Sequence, residues 1–175
     1  MPGTPIYYTL LLDQNQCFQS CPKGWERFEE RCYLWSDNKK NQAEAEKFCK
    51  EEGAHLASVT NQNIHDYIWD KTQRTGAPVW LGRTDLEQEG LWKWNDGSAW
   101  NFTSWATHRS QQPDNYKGWQ DKFPDGQDCL MIYDGFGKNG WNDVWCLRSE
   151  PFICSKQICA NHEDKTNTDN IKDSF

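Results

Sequence analysis

Long hydrophobic runs are missing from this sequence. Only two of the 175 residues are methionine, mean hydropathy is −1.00, and no stretch approaches the ~18 apolar residues that make a transmembrane helix. No membrane span is expected within the chain. Basic residues are also short: 19 Lys and Arg against 26 Asp and Glu leave a formal net charge of −7. They form no dense run, which argues against a nucleic-acid partner. There is no C-x-x-C pair, and the four histidines, His55, His65, His108 and His162, are scattered. Zinc and dithiol redox centres need such groups at close spacing. No residue pair resembles a nucleophile beside its base, so no enzyme is expected.

What the chain does have is eight cysteines and 11 tryptophans, with 14% aromatic residues. The length suits one domain with a substantial core, and the aromatics argue against wholesale disorder. An even number of cysteines without C-x-x-C spacing predicts disulfides in a secreted or extracellular protein. Their density lies below the roughly 8–10% of a miniature held by disulfides alone, so they staple a core rather than replace one. Residues 6–12 form a mostly apolar run, but no basic residue precedes it and no small-residue cleavage pattern follows. Residues 1–16 therefore read as an N-terminal segment with the look of a leader remnant. Residues 160–175, polar and aperiodic, read as a disordered tail.

Between the ends, two helices are expected. Residues 41–52 are rich in Ala, Glu and Lys, with Ala45, Phe48 and Cys49 on one face and Gly53 as the stop. Asp37, Glu44 and Glu46 read as a solvated helix face. A second helix starts after Thr60 or Asn61, buries Ile64 and Ile68, and ends by Gly76. Beyond Gly76, apolar runs at 79–81, 91–94, 129–133 and 151–154 predict strands separated by long loops. Residues 95–127 hold few strand signals, and a loop region of that length within a compact domain is expected to be functional.

Late in that region stands Gln112-Pro113-Asp114-Asn115, and well beyond it Trp141-Asn142-Asp143. Each pairs an amide oxygen with a carboxylate. Taken alone, each also reads as a polar turn. Together they form an all-oxygen donor set with two negative charges, which suits a hard cation such as Ca²⁺. A cis bond before Pro113 would point the flanking side chains the same way. Asn101-Phe102-Thr103 matches an N-glycosylation acceptor.

These residues and several others carry a resemblance. Cys21-Pro22-Lys23-Gly24-Trp25 with Cys32-Tyr33, Gly53-Ala54-His55-Leu56-Ala57-Ser58, Val79-Trp80-Leu81-Gly82 and Trp92-Lys93-Trp94-Asn95-Asp96-Gly97 occur in the order of the C-type lectin-like domain. The chain resembles the long form of that family over residues 21–156, most nearly its soluble galactose-type members. The resemblance implies an α+β fold of two helices, short antiparallel sheets, a long calcium- and sugar-binding loop region and disulfide staples, spanning 17–159. Eight cysteines allow 105 pairings; the family pattern implies Cys21–Cys32, Cys49–Cys154 and Cys129–Cys146. Cys17 and Cys159 remain, joined within one chain or linking chains into a homo-oligomer. Trp25, Trp80, Trp92, Trp94 and Trp141 are expected in the core.

The resemblance also implies a function. Gln112, Asp114, Gln127, Asn142 and Asp143 would hold Ca²⁺. A Gln-Pro-Asp motif goes with galactose-like sugars, whose vicinal hydroxyls would meet the cation and Gln112, Asp114, Asn142 and Asp143. The ring of Tyr116 or Trp119 would pack on the sugar's apolar face. The expected partners are glycans with terminal galactose-like sugars, on glycoproteins or cell surfaces. In one respect the chain departs from the pattern: Gln127 stands where the family carries Glu. Two carboxylates are left where three are usual, which weakens Ca²⁺ binding and keeps open a metal-free protein-binding or an ice-binding module. A second calcium site of some members would draw on Asp85, Glu89 and the Asn115 position.

Overall fold

A computed structural model describes residues 20–107, 111–117, 126–132 and 140–158. Cys17, Cys159, Trp119 and the segments 1–16 and 160–175 lie outside the described residues. The elements run β1 (Glu26–Phe28), β2 (Arg31–Lys40), α1 (Gln42–Glu51), β3 (His55–Leu56), α2 (Gln62–Thr75), β4 (Val79–Thr84), β5 (Lys93–Trp94), β6 (Cys129–Ile132), β7 (Trp141–Val144) and β8 (Glu150–Gln157).

Both expected helices form where their caps dictate. Asn41 accepts the Glu44 backbone N–H at 2.9 Å while the Glu44 carboxylate takes the Asn41 N–H, a reciprocal capping box that starts α1. Asn61 caps α2 through the Ile64 N–H at 2.9 Å. Gly76 ends α2 at φ +66°, a left-handed conformation that glycine adopts without the penalty of a Cβ. Ile64 and Ile68 are buried as the helical period requires.

One mixed sheet has the order β1-β2-β8-β4-β6-β7, with β3 added to β8 and β5 to β4. Most pairs are antiparallel; β4 and β8 meet in parallel where Trp80 lies opposite Phe152. The expected strands are present over their described residues, which leave out Tyr133, although β5 is only two residues long. Leu91 instead closes a turn onto the Gln88 carbonyl at 2.9 Å. The segment 141–144 is a strand rather than a turn. In β7, Trp141 and Asp143 point inward and pair with Ile132 and Leu130 of β6.

Two apolar clusters fill the two faces. Val79, Leu81, Trp92, Trp94, Leu130, Ile132, Trp141 and Ile153 belong to one, with Ile64 and Ile68 of α2. Trp80, Leu56, Phe152, Val144, Ala45 and Cys49 belong to the other. Of the five tryptophans expected in the core, four are buried, and Trp25 packs half-buried against the second cluster. The bridges Cys21–Cys32, Cys49–Cys154 and Cys129–Cys146 are formed. Cys49–Cys154 ties residues 105 apart, and such a cross-link removes several kcal/mol of unfolded-chain entropy, about 4–5.

Two charged residues lie deeper than the sequence implies. Glu46 does not belong to a solvated face. It is only 8% exposed, and its carboxylate accepts the Leu56 backbone N–H at 2.9 Å and meets His55 Nδ1 at 2.6 Å. Arg83 of β4 is fully buried beside the rings of Trp94 and Trp100 and donates to the Trp92 carbonyl. Burial lowers its pKa to about 9, with the neighbouring Asp85 charge opposing that shift.

Candidate functional site

The site assembles around β7. Trp141 is fully buried and takes edge or tilted contacts from Trp94, Trp100, Phe102 and Trp105 at centroid distances of 5.7–6.0 Å. Its backbone N–H donates to the Ser104 carbonyl at 2.7 Å, and its carbonyl accepts the Ala106 N–H at 2.9 Å. Residues 104–106 are thereby laid along β7. The Ala106 carbonyl in turn accepts the Gln112 N–H at 3.0 Å, which sets the start of the Gln112-Pro113-Asp114 segment. The space between is closed: a Cβ on Gly140 would lie 2.6 Å from the Ala106 Cα.

From there the donors converge. The Gln112–Pro113 peptide bond is cis, and the Gln112 amide donates to the Asp114 carboxylate at 3.2 Å. Asp143, next in β7 but one after Trp141, is fully buried. Its two carboxylate oxygens accept the backbone N–H groups of Asp114 at 3.2 Å and Asn115 at 2.7 Å. Burial outweighs these bonds and pushes the Asp143 pKa up to about 6. Gln127, just ahead of β6, accepts the Tyr116 N–H at 3.0 Å through its side-chain oxygen. Asn142 is the half-buried residue of β7 opposite Met131, on the other face of the strand from Trp141 and Asp143. The Cys129–Cys146 bridge joins the strands that flank this set.

So Gln112, Asp114, Gln127 and Asp143 are brought together, with Asn142 on the same strand as Asp143. Tyr116 is 52% exposed and edges against Trp145 at 6.2 Å, available as a flat apolar surface.

Asn115, named from the sequence only as a loop amide and a position of a second calcium site, has a structural role the sequence did not convey. It sits at φ +42°, a conformation that asparagine tolerates better than most residues. Its side-chain oxygen accepts the Gln127 N–H at 3.0 Å and its amide donates to the Glu89 carboxylate. Asn115 thus clips three segments together. The position of Gly126, at φ +88° with the Asn115 side-chain oxygen against it, was the available signal.

Asp85 lies close by in sequence to Glu89 and is 3% exposed. One of its oxygens accepts the Gly90 N–H at 2.9 Å, and burial raises its pKa.

The chemistry of the donor set fits a hard cation. The side-chain oxygens are those of two carboxylates and three amides. Each oxygen of Asp143 uses one lone pair on a backbone N–H and keeps another. Among the described residues no group of three or more His, Cys, Asp and Glu side chains is placed to hold a metal, so a cation here would depend on the amides.

The model of the Lectin C-type domain matches residues 38–156. The chain belongs to the C-type lectin domain family. It is 37% identical over 144 residues to C-type lectin domain family 4 member F of Mus musculus, an alignment covering 82% of this chain and 24% of that protein. It is 31% identical over 142 residues to the galactose-specific lectin nattectin of Thalassophryne nattereri, covering 79% of this chain and 82% of that one. The chain therefore spans about a quarter of the first relative and most of the second.

Among solved structures, the mouse scavenger receptor C-type lectin carbohydrate-recognition domain superposes with a TM-score of 0.65 at 34% identity, covering 80% of this chain and 98% of that one. A Ca²⁺-dependent type II antifreeze protein in its Ca²⁺-free form superposes at 0.66 and 30% identity, over 78% and 100%. The C-type lectin fold is thus the frame for these donors. Among the described residues, no helix is long and apolar enough to cross a membrane.

Proposed function

We propose that this C-type lectin domain is a secreted, calcium-dependent carbohydrate-binding module with a preference for galactose-like sugars, and not an enzyme. The observation that carries the reading is the grip of the Asp143 carboxylate on the backbone of Asp114 and Asn115, which places the Gln112-Pro113-Asp114 segment against β7. Gln112, Asp114, Gln127, Asn142 and Asp143 would hold the cation. Bound Ca²⁺ would coordinate two vicinal hydroxyls of the sugar. The chain's own residues do the rest: Gln112 and Asp114 present hydrogen-bonding groups from one segment, Asn142 and Asp143 from the other. The exposed Tyr116 ring offers its face to the C–H side of the sugar. The name of nattectin supports the galactose preference.

Calorimetry of the purified chain with Ca²⁺ and galactose tests this. Heat of binding and chelator-sensitive retention on galactose resin are expected; neither appearing would overturn the reading.

One observation favours a second reading. Gln127 accepts from Tyr116 and its backbone donates to Asn115, so at the position where the family carries Glu the loop is held by a neutral group. A metal-free lectin-like module that recognises protein, or one with antifreeze activity of the kind named for a calcium-independent type II antifreeze protein, would keep its binding or thermal hysteresis unchanged in chelator.

A further inference from the structure

We propose that Asn101 is the attachment site of an N-linked glycan. Asn101-Phe102-Thr103 is the only Asn-x-Ser/Thr triplet without proline at its centre in the chain. A lone triplet of this kind is a common chance match, so the weight falls on how the fold displays it.

Residues 101–104 lie outside the sheet and both helices. The middle residue is the anchor: the Phe102 ring stands edge-on to Trp141 at 5.7 Å and to the buried His65 at 6.1 Å. Its neighbours on either side turn away from that anchor, and Asn101 and Thr103 are both exposed. The two side chains an oligosaccharide-transferring enzyme must reach are therefore presented together, while the half-buried spacer packs against the core. A bulky polar attachment at Asn101 meets solvent and displaces no packed group.

The transfer is balanced as follows. The Asn101 side-chain nitrogen bonds to the anomeric carbon of a lipid-linked oligosaccharide diphosphate. The bond from that carbon to the diphosphate oxygen breaks, the lipid diphosphate departs with the electron pair, and the nitrogen gives up one proton.

The position is also set relative to the candidate site. Ser104 bonds to Trp141 of β7, and three residues of extended chain span at most about 10–11 Å. A glycan on Asn101 thus roots within that reach of the strand carrying Asn142 and Asp143. The proposal rests on the chain entering an oxidising secretory compartment, as its disulfides require, and not on sugar binding, so either can fail without the other.

The test is translation of the full chain behind a cleavable secretory leader in the presence of microsomes. The protease-protected product is expected to migrate more slowly and to return to the unmodified position after peptide-N-glycosidase F, with Asn101 converted to Asp in its peptide. Asn101→Gln and Thr103→Ala abolish the shift; Thr103→Ser keeps it. A protected wild-type chain with the mass of the bare polypeptide, or a shift surviving in Asn101→Gln, overturns the assignment.

Discussion

The carboxylate of Asp143 and the backbone N–H of Asn115 meet at 2.7 Å, a bond between a buried strand and a surface segment 28 residues away in sequence. With the parallel bond to Asp114, it decides where the candidate ligand segment sits. Asp143→Ala would leave two backbone donors without their acceptor, at about 1–3 kcal/mol each. A fall in the urea midpoint together with loss of Ca²⁺ binding is expected. Asp143→Asn, which keeps an acceptor oxygen for one of the two N–H groups, turns a donor toward the other and removes the charge, should lose the cation while recovering part of the stability. Equal loss of stability in both would show that a single neutral acceptor does not fasten the segment.

Gln127→Glu restores a charge at an oxygen that already faces Tyr116. An added unit charge beside a cation near the surface contributes on the order of 1–4 kcal/mol. Titration calorimetry should therefore show Ca²⁺ affinity rising roughly tenfold or more. Unchanged affinity would mean that Gln127 serves the loop alone.

The Asp143 pKa of about 6 makes the cation-free protein sensitive to pH. The folded value lies above the ordinary carboxylate value of 3.8. Its stabilising contribution is thus complete below that ordinary value and is lost as pH rises through about 6. The cost near neutral pH is on the order of 3 kcal/mol. Saturating Ca²⁺ neutralises that buried charge, so the rise in Tm on adding Ca²⁺ should be larger near neutral pH than at about pH 5. Ca²⁺ affinity should weaken as pH falls through about 6. Thermal scans at the two pH values check both; an equal Ca²⁺-induced shift would contradict the assignment.

Gly140→Ala places a methyl 2.6–2.8 Å from the Ala106 backbone and Cβ. Overpacking of this kind costs about 1–3 kcal/mol, which lowers Tm by several degrees. Because Ala106 holds Gln112, ligand retention should fall as well. A Tm loss with unaltered retention would show that segment 104–106 does not position the site.

Much of this arrangement was legible in the residues. The helices follow from apolar spacing and from Asn41, Asn61 and Gly76 at their ends, all of them local signals. The three bridges followed from resemblance to the family, which also named the candidate donors.

Illegible features depended on partners distant in sequence. Trp141-Asn142-Asp143 offers turn-forming residues, and only the ladder to β6 with the Cys129–Cys146 bridge makes it a strand. Glu46 falls among solvated carboxylates by composition, yet His55 and Leu56 draw it inward. Arg83 becomes a core residue because tryptophans from the following 17 residues close around it. Asn115 looks like one more loop amide until its backbone angle lets it reach three segments.

The order of the sheet has a consequence for how such a module is carried. The described chain starts beside β1 and stops after β8, where the Ile158 N–H meets the Glu30 carbonyl at 2.8 Å. β7 lies at the far margin, roughly 14 Å from β8 and 24 Å from β1 at the usual strand spacing. Segments joined to these two ends therefore attach away from the sheet margin that carries Asn142 and Asp143.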